Sequence, residues 1–213
     1  MTATRGEATR RRLVDEAVRH FGKRGYDGTS LDQVASAAGV RKQTLLYYFP
    51  TKEALLEACM AEVSARVAET LSQALAAQES NTQKAETVIR AVFRLAEEWP
   101  EFPQFIREAA RMSPEVIQRF AQGLEPLRLR AIGFLQNAMG EGQIRRQDPA
   151  LLLFTLYTAV VGSLTEAGVL RAVVGEDKGR MALRRREQEV LAFVRNALAP
   201  AGSNEMGRTT LSG

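Results

Sequence analysis

The sequence predicts an all-α protein with a three-helix N-terminal head and a larger C-terminal helical bundle. Apolar residues recur every three or four positions along most of the chain, which is the spacing of amphipathic helices. Serine, aspartate and glycine stand where such helices are expected to begin and end. The composition, with 45% apolar and 25% charged residues among 213, is that of an ordinary globular protein.

The length allows one large domain or two small ones. We expect a head over residues 1–51, a helical body over 52–199, and a disordered tail of small and polar residues over 200–213. The N-terminus lacks the apolar segment typical of export. The longest uncharged run, 149–165, is shorter than the roughly 20 residues of a membrane span. A single cysteine fits a reducing compartment, so we expect a cytoplasmic protein with no membrane partner.

The first helix of the head is predicted within residues 8–25. Its apolar positions have helical spacing, and its charged residues lie on the opposite side. Gly22 and Gly25 mark its end. The residues expected in its buried face are Leu13, Val14, Ala17, Val18 and Phe21.

Two short helices follow, joined by a glycine turn. Ser30 and Gln33 have the spacing of a capping box, so the second helix is expected to begin after Ser30. Gly39 stands where the chain must turn, because glycine tolerates a positive φ. A third helix begins at about Arg41, and two short helices around such a turn form a helix-turn-helix. The buried face of the second helix is predicted to contain Leu31, Val34, Ala35 and Ala38.

The third helix is predicted to have two different faces. Leu45, Leu46 and Phe49 are expected on the side toward the core. The second helix of a helix-turn-helix places its N-terminal end in the major groove of DNA. There glutamine pairs with adenine and lysine or arginine with guanine, while tyrosine hydroxyls and further lysines reach phosphates. The side chains expected to meet DNA are Arg41, Lys42, Gln43, Thr44, Tyr47, Tyr48 and Lys52.

The distribution of charge supports a head that binds a polyanion. Residues 1–52 contain ten Lys and Arg and five Asp and Glu, whereas the rest of the chain contains 19 and 20. The positive excess therefore lies in the first quarter of the chain, as expected of a DNA-binding head. A chance fluctuation of charge is the alternative that counting leaves open.

The stretch GYDGTSLDQVASAAGVRKQTLLYYFPTKEAL resembles the DNA-binding segment of the TetR (tetracycline repressor) family. The similarity covers about residues 8–56 and includes Ala38-Gly39-Val40, Leu45, Tyr48-Phe49, Lys52-Glu53 and Leu55. The resemblance implies a transcriptional regulator that binds double-stranded DNA. It also implies that Lys42, Gln43, Thr44 and Tyr47 face bases and that Thr29, Tyr48 and Lys52 bind phosphates.

Three positions depart from the family pattern. Arg41 stands in place of the usual serine, Gln43 in place of the usual glycine, and Leu46 in place of a phosphate-contacting tyrosine. Leu46 cannot donate a hydrogen bond, so Arg41 is expected either to replace that contact or to read a base. The operator sequence therefore does not follow by analogy.

The body is predicted to contain helices at about 52–78, 83–98, 103–111, 114–140, 148–173 and 180–199. Asp148 followed by proline is a clear helix start. The last two helices resemble those that pack against their copies as a dimer interface in the family, and a dimer reads two half-sites of a palindromic operator. An intrachain core is the alternative. The residues assigned to a homodimer interface are Ala159, Gly162, Ser163, Leu191 and Val194.

The resemblance also implies a small-molecule effector, of unknown identity, bound in the body. Gly123 and Pro126 interrupt the pattern of 114–140, and a proline kink between packed helices can leave a cavity. The alternatives are that Pro126 starts a new helix and that the aromatic residues are plain core. The candidate pocket residues are Trp99, Phe102, Phe105, Glu108, Met112, Arg128, Phe134, Phe154 and Tyr157.

Other classes of function have little support in the sequence. It contains no phosphate-binding glycine loop and no Glu-x-x-His pair, and with one histidine and one cysteine we expect no enzyme, metal site or cofactor. Cys59 is interpreted as a buried apolar residue rather than a redox sensor. We expect a repressor that binds a palindromic operator as a homodimer and is released by a ligand. The alternative is a helix-turn-helix protein that is not ligand-released, and that needs a co-repressor or binds other proteins.

Overall fold

The computed structural model describes residues 4–76, 81–112, 114–175 and 179–200. Within these ranges the chain forms eleven α-helices and no strand, which confirms the predicted all-α class. The predicted disordered tail lies outside the described residues from position 201 onward. The first helices are α1 (Arg5–Arg24), α2 (Leu31–Ala37), α3 (Lys42–Tyr48), α4 (Lys52–Leu75), α5 (Asn81–Glu98) and α6 (Phe102–Met112). The others are α7 (Pro114–Gly123), α8 (Glu125–Gly140), α9 (Pro149–Thr165), α10 (Ala167–Val174) and α11 (Gly179–Leu198).

Local signals set the ends of the first helices. Ser30 and Gln33 make both reciprocal hydrogen bonds of the predicted capping box at the start of α2. Thr4 and Glu7 form a second capping box at the start of α1. Gly39 has a φ of 68° in the turn between α2 and α3, which confirms its predicted role, because other residues are strained there.

Two predicted helices are each divided in two. The segment 114–140 forms α7 and α8, and Pro126 lies in the first turn of α8. An N–H in the first turn has no partner within the helix, so proline costs no hydrogen bond there. The prediction of one kinked helix is therefore wrong, and the alternative of a new helix is correct. The segment 148–173 forms α9 and α10, which meet at Glu166 with a bend of 82°. No single described helix has the length and apolar composition of a membrane span; α9 and α10 reach them only together, as this bent pair.

The chain packs into two compact units. The first comprises the described parts of Met1–Glu69 and Glu98–Glu125, so it contains the head, most of α4, α6 and α7. The second comprises the described parts of Thr70–Glu97 and Pro126–Gly213, with α5, α8, α9, α10 and α11. The functional boundary expected after residue 51 is a different division, and it stays a prediction.

The core of the second unit is built from α5, α8, α9 and α11, with Phe93, Leu135 and Leu152 among its buried residues. Leu191 and Val194 of α11 belong to this core, and each is only 1% exposed. Their assignment to an interface between two copies is therefore wrong, and the intrachain alternative holds for both. A side chain that is already closed off within one chain has no surface left for a partner.

Ion pairs join α5 to α11 at the edge of this core. Glu86 accepts hydrogen bonds of 2.5 and 3.1 Å from the guanidinium of Arg195. Arg90 pairs with Glu187 at 3.1 Å. The hydrogen bonds from Arg195 hold the pKa of the Glu86 carboxyl below its ordinary value.

Candidate nucleic-acid interface

The head has a closed apolar core behind its two short helices. Phe21 of α1, Val34 of α2 and Leu45 of α3 are each at most 1% exposed. Phe49, directly after α3, is also buried. This shared core holds α2 and α3 in a fixed relation, which a helix-turn-helix needs if its second helix is to enter a groove. The other predicted core residues, Leu13, Val14, Ala17, Val18, Ala35 and Ala38, are buried too, whereas Leu31 is half-buried.

The opposite side of α3 presents polar and aromatic side chains outward. Tyr47 is 81% exposed. Its ring meets that of the half-buried Tyr48 edge-on, with centroids 5.2 Å apart. Each aromatic ring thus restricts the orientation of the other. The outward-facing residues predicted to meet DNA are the exposed Arg41, Lys42, Gln43 and Tyr47 and the half-buried Thr44 and Tyr48.

Leu46 also faces outward, contrary to the prediction that grouped it with the core residues Leu45 and Phe49. It is 36% exposed, whereas Leu45 is fully buried. Successive helical residues diverge by about 100°, so only one of two adjacent leucines can point straight at the core. An apolar side chain therefore lies on the surface of α3 that carries the tyrosines.

The ammonium of Lys42 is held by an acidic residue of the neighbouring helix. Lys42 Nζ lies 2.7 Å from Oδ2 of Asp32, in the first turn of α2. Both side chains are well exposed. Sequence reasoning missed this contact, because a separation of ten positions across a turn gives no periodic signal.

Thr29 is enclosed within the head. It is 2% exposed, its hydroxyl donates to the carbonyl of Gly25 at 2.9 Å, and its amide donates to the carbonyl of Tyr26 at 3.1 Å. These bonds close the turn that joins α1 to α2. A phosphate contact through the Thr29 hydroxyl has no support in this conformation.

Lys52 begins α4 immediately after the head. Its ammonium nitrogen lies 4.1 Å from the centre of the Tyr26 ring, and the Tyr26 hydroxyl donates to the carboxylate of Glu53 at 2.9 Å. Burial, and to a smaller extent this hydrogen bond, raises the pKa of Tyr26 to about 12. The half-buried Lys52 is thus positioned by an aromatic ring while its charge remains near the surface.

Helix α6 and the turn before it dock against the C-terminal end of α1. The rings of Phe21 and Phe105 stack with centroids 6.4 Å apart, and Glu101 pairs with Lys23 at 3.1 Å. Gly22 permits this approach, because a Cβ at that position would lie 2.8 Å from the carbonyl oxygen of Glu101. The head is therefore fixed to α6 by both apolar and charged contacts.

The candidate pocket residues of the first unit take part in this packing. Glu108, expected to meet a polar ligand group, accepts a hydrogen bond of 3.3 Å from the backbone amide of Tyr26. It therefore ties α6 to the loop after α1. The remaining candidates of this unit are the buried Trp99, Phe102 and Phe105 and the half-buried Met112.

The candidate pocket residues of the second unit lie at its surface or at the edge of its core. Phe154 is 61% and Tyr157 43% exposed on α9. Arg128 is exposed on α8. Phe134 packs at the edge of the core, with the ammonium of Lys84 6.0 Å from its ring centre. The nine candidates are therefore divided between the two units, and three of them, Trp99, Phe102 and Phe105, are buried.

A cleft of about 340 Å³ between α4 and α7 was not predicted. Gly123 lets the end of α7 approach α4, because a Cβ there would lie 2.8 Å from Oγ of Ser64. Glu57 of α4 and Arg119 of α7 form an ion pair beside the cleft. The other lining residues are mostly apolar: Leu56, Met60, Ala61 and Val116. The signal available in the sequence was the spacing of Leu56, Met60 and Ser64 along one stripe of α4.

The second unit exposes apolar side chains along α9 and α11. Leu151 is 66%, Phe154 61% and Phe193 56% exposed. A shallow cleft of about 270 Å³ runs between the two helices beside Leu151 and Phe193. Exposed apolar side chains grouped on neighbouring helices are typical of interaction sites. The small residues Ala159, Gly162 and Ser163, predicted at a dimer interface, are half-buried on α9.

Comparison with known proteins agrees with the geometry of the head. Residues 13–59 match the family described as bacterial regulatory proteins, tetR family. The match includes α2, α3 and the turn between them. The HTH-type transcriptional regulator RutR of Escherichia coli K12 is 26% identical over 171 residues, which make up 79% of this chain and 79% of that protein.

Solved structures share the fold over most of the chain. FadR of Bacillus subtilis, in complex with stearoyl-CoA, has a TM-score of 0.72 and 19% identity, covering 88% of this chain and 98% of that one. AibR, in complex with isovaleryl coenzyme A and operator DNA, has a TM-score of 0.71 and 20% identity, covering 90% and 99%. The head thus matches the tetR family of bacterial regulatory proteins over its complete helix-turn-helix, and the rest of the chain shares the fold of these solved structures.

Proposed function

We propose that this protein is a ligand-responsive repressor that binds a palindromic operator as a homodimer and leaves it when a small molecule binds. The observation that carries the proposal is the outer face of α3, where polar and aromatic side chains are exposed above a closed core. Such a face suits base edges and phosphates together. The chain's positive excess lies in the same segment.

In this proposal the contacts of the head divide into two classes. Lys42, Gln43, Thr44 and Tyr47 read base edges in the major groove. Arg41, Tyr48 and Lys52 contact phosphates and fix the register of the helix. Thr29 is left out of the second class, because its hydroxyl is bonded inside the head.

The homodimer is proposed to form through the apolar surface of α9 and α11. The exposed Phe154, Tyr157 and Phe193 are assigned to this interface in place of the buried Leu191 and Val194. The small Ala159, Gly162 and Ser163 remain in the proposal, because short side chains allow close approach of helices. Two heads related by a two-fold axis would read half-sites about 34 Å apart, one turn of the duplex.

The effector is proposed to bind in the cleft between α4 and α7. Its apolar lining suits a hydrocarbon group, and an anionic group would take the place of Glu57 as the partner of Arg119. AibR and FadR, which share the fold, are described in complex with coenzyme A thioesters. Acyl-coenzyme A compounds are therefore the first class to test, by their effect on melting temperature. Ala61→Trp, which fills the cleft from its rim, should abolish any shift that the wild type shows.

Selection of random duplex DNA by the purified protein tests the operator proposal. We expect a palindromic motif with half-sites about one helical turn apart. Lys42→Ala and Tyr47→Ala should then weaken operator binding more than binding to random DNA. Lys52→Ala should weaken both alike and reduce the slope of log affinity against log salt by about 1. Equal losses on both DNAs for all three variants would contradict the assignment of the faces.

The dimer is tested separately by sedimentation. Phe154→Glu places a charge in the proposed interface and should yield a monomer, while Leu129→Glu, an exposed apolar residue of α8, should leave the mass unchanged. If the Phe154→Glu protein has the same mass in solution as the wild type, the interface between copies lies at other residues. Specific DNA binding without any effector-induced release would instead favour the helix-turn-helix protein that is not ligand-released.

A further inference from the structure

The ion pair between Lys42 and Asp32 links the two helices of the helix-turn-helix at their N-terminal ends. The nitrogen-to-oxygen distance is 2.7 Å, and the side chains are 46% and 64% exposed. Lys42 is the first residue of α3 and Asp32 lies in the first turn of α2. The two helices pack against each other, and each contributes a fully buried residue to the core of the head, Val34 from α2 and Leu45 from α3. The carboxylate therefore stands at a fixed place relative to α3.

This contact changes what the lysine can do. A lysine ammonium has three N–H donors on a long flexible stem. Without an ion-pair partner, the ammonium of Lys42 would bind any phosphate oxygen within its reach. With one donor engaged by Asp32, the charge is confined to one position while two donors remain for acceptors such as O6 and N7 of guanine. The negative charge of the Asp32 carboxylate also weakens the attraction between the Lys42 ammonium and DNA phosphates. Attraction of this kind supplies most of the affinity for non-specific DNA.

We propose that Asp32 is a specificity-determining residue that positions Lys42 for a base and withholds it from the phosphate backbone. The proposal rests on the function proposed above, since it concerns how the same head distinguishes an operator from other DNA. It adds a residue of α2, which itself need not touch a base, to the group that sets the sequence preference.

The test compares Asp32→Asn with Asp27→Asn. Both variants remove one negative charge from the same head, but Asp27 lies in the loop between α1 and α2 and does not hold Lys42. Affinity is measured for the selected operator and for random duplex over a series of salt concentrations. An exposed ion pair is worth at most about 1 kcal/mol, which corresponds to roughly fivefold in an equilibrium constant.

For Asp32→Asn we expect a two- to fivefold fall in the ratio of operator to random affinity, within that range. Its salt slope on random duplex should steepen by about 0.9, as expected when one more cation reaches a phosphate. Asp27→Asn should raise both affinities by a similar factor and leave their ratio unchanged. Asp32→Glu, which keeps the charge, should retain the wild-type slope. In a Lys42→Ala background, Asp32→Asn should behave like Asp27→Asn.

Two results would overturn the inference. In the first, Asp32→Asn and Asp27→Asn change both affinities and both salt slopes equally. Asp32 would then act only through the net charge of the head and not through Lys42. In the second, the effect of Asp32→Asn persists without Lys42. A wild type that binds random duplex but selects no motif would refute the proposed operator reading instead. The salt slopes would still decide whether Asp32 withholds Lys42 from phosphate. Circular dichroism of each variant excludes loss of the fold as the cause.

Discussion

Replacing Gly22 with alanine tests how closely α1 must approach α6. The new Cβ would lie 2.8 Å from the carbonyl oxygen of Glu101 and 3.3 Å from the amide nitrogen of Phe105. Both are backbone atoms that cannot rotate away, so the two elements must separate. Overpacking of this kind costs about 1–3 kcal/mol, whereas alanine is favoured over glycine by about 1 kcal/mol inside a helix. We therefore expect a net loss of stability of about 0–2 kcal/mol.

Gly133→Ala in α8 is the matched control, because a Cβ there would meet nothing within 4 Å. It should gain the helix preference alone and stabilise the protein by about 1 kcal/mol. The difference between the variants, measured by urea denaturation with circular dichroism, then gives the cost of the close contact. Gly22→Ala should also weaken operator binding, since the head is displaced, while Gly133→Ala should not. Equal stabilisation by both substitutions would refute the reasoning.

Three further predictions concern single residues. Burial raises the pKa of the Cys59 thiol, and its exposure is 0%, so a thiol reagent should label it only as the protein unfolds; rapid labelling of the native state would contradict this. Gly39→Ala and Gly142→Ala both place a side chain at φ near 70° with no neighbour within 4 Å. Each should cost about 1–2 kcal/mol, but only Gly39→Ala should impair DNA binding, and a loss of binding in both would show a global effect. The pKa of Glu86 is lowered from 4.5 in the folded state, so its contribution to stability is present above that pH and is lost as pH falls through the folded pKa. Glu86→Gln should therefore reduce the loss of unfolding free energy as the pH falls below 4.5. If that loss is unchanged in the variant, it is caused by other carboxylates.

The head was largely predictable because its signals are local. The capping residues Ser30 and Gln33, the turn at Gly39 and the apolar spacing of α1 each act within a few positions of the chain. They agree with one another, and the fold follows them. Leu46 was misplaced because a helix of seven residues has too little length for its pattern to separate a core side from a flank.

The body was less predictable because its apolar residues serve more than one surface. The segment PALLLFTLYTAVVGSLT is apolar around most of its circumference, so periodicity does not say which stripe faces the core. The structure buries Leu152 and exposes Leu151. Leu191 and Val194 form one apolar stripe of α11, and this stripe does not say whether it packs on its own chain or on a second copy; the resemblance assigned it to a partner. The ion pair of Asp32 with Lys42 and the cleft beside Glu57 depend on residues that only folding brings together.

The surroundings of Trp99 give the protein an optical probe of its own. It is the single tryptophan in the sequence, it is 7% exposed, and the guanidinium of Arg66 from α4 lies 4.0 Å from its ring centre. A cation so near an indole shifts its emission, so a small change in the position of α4 would alter both the wavelength and the intensity. Fluorescence of the unlabelled protein therefore reports on the position of α4 beside Trp99, and Arg66→Met would show how much of the signal comes from the cation.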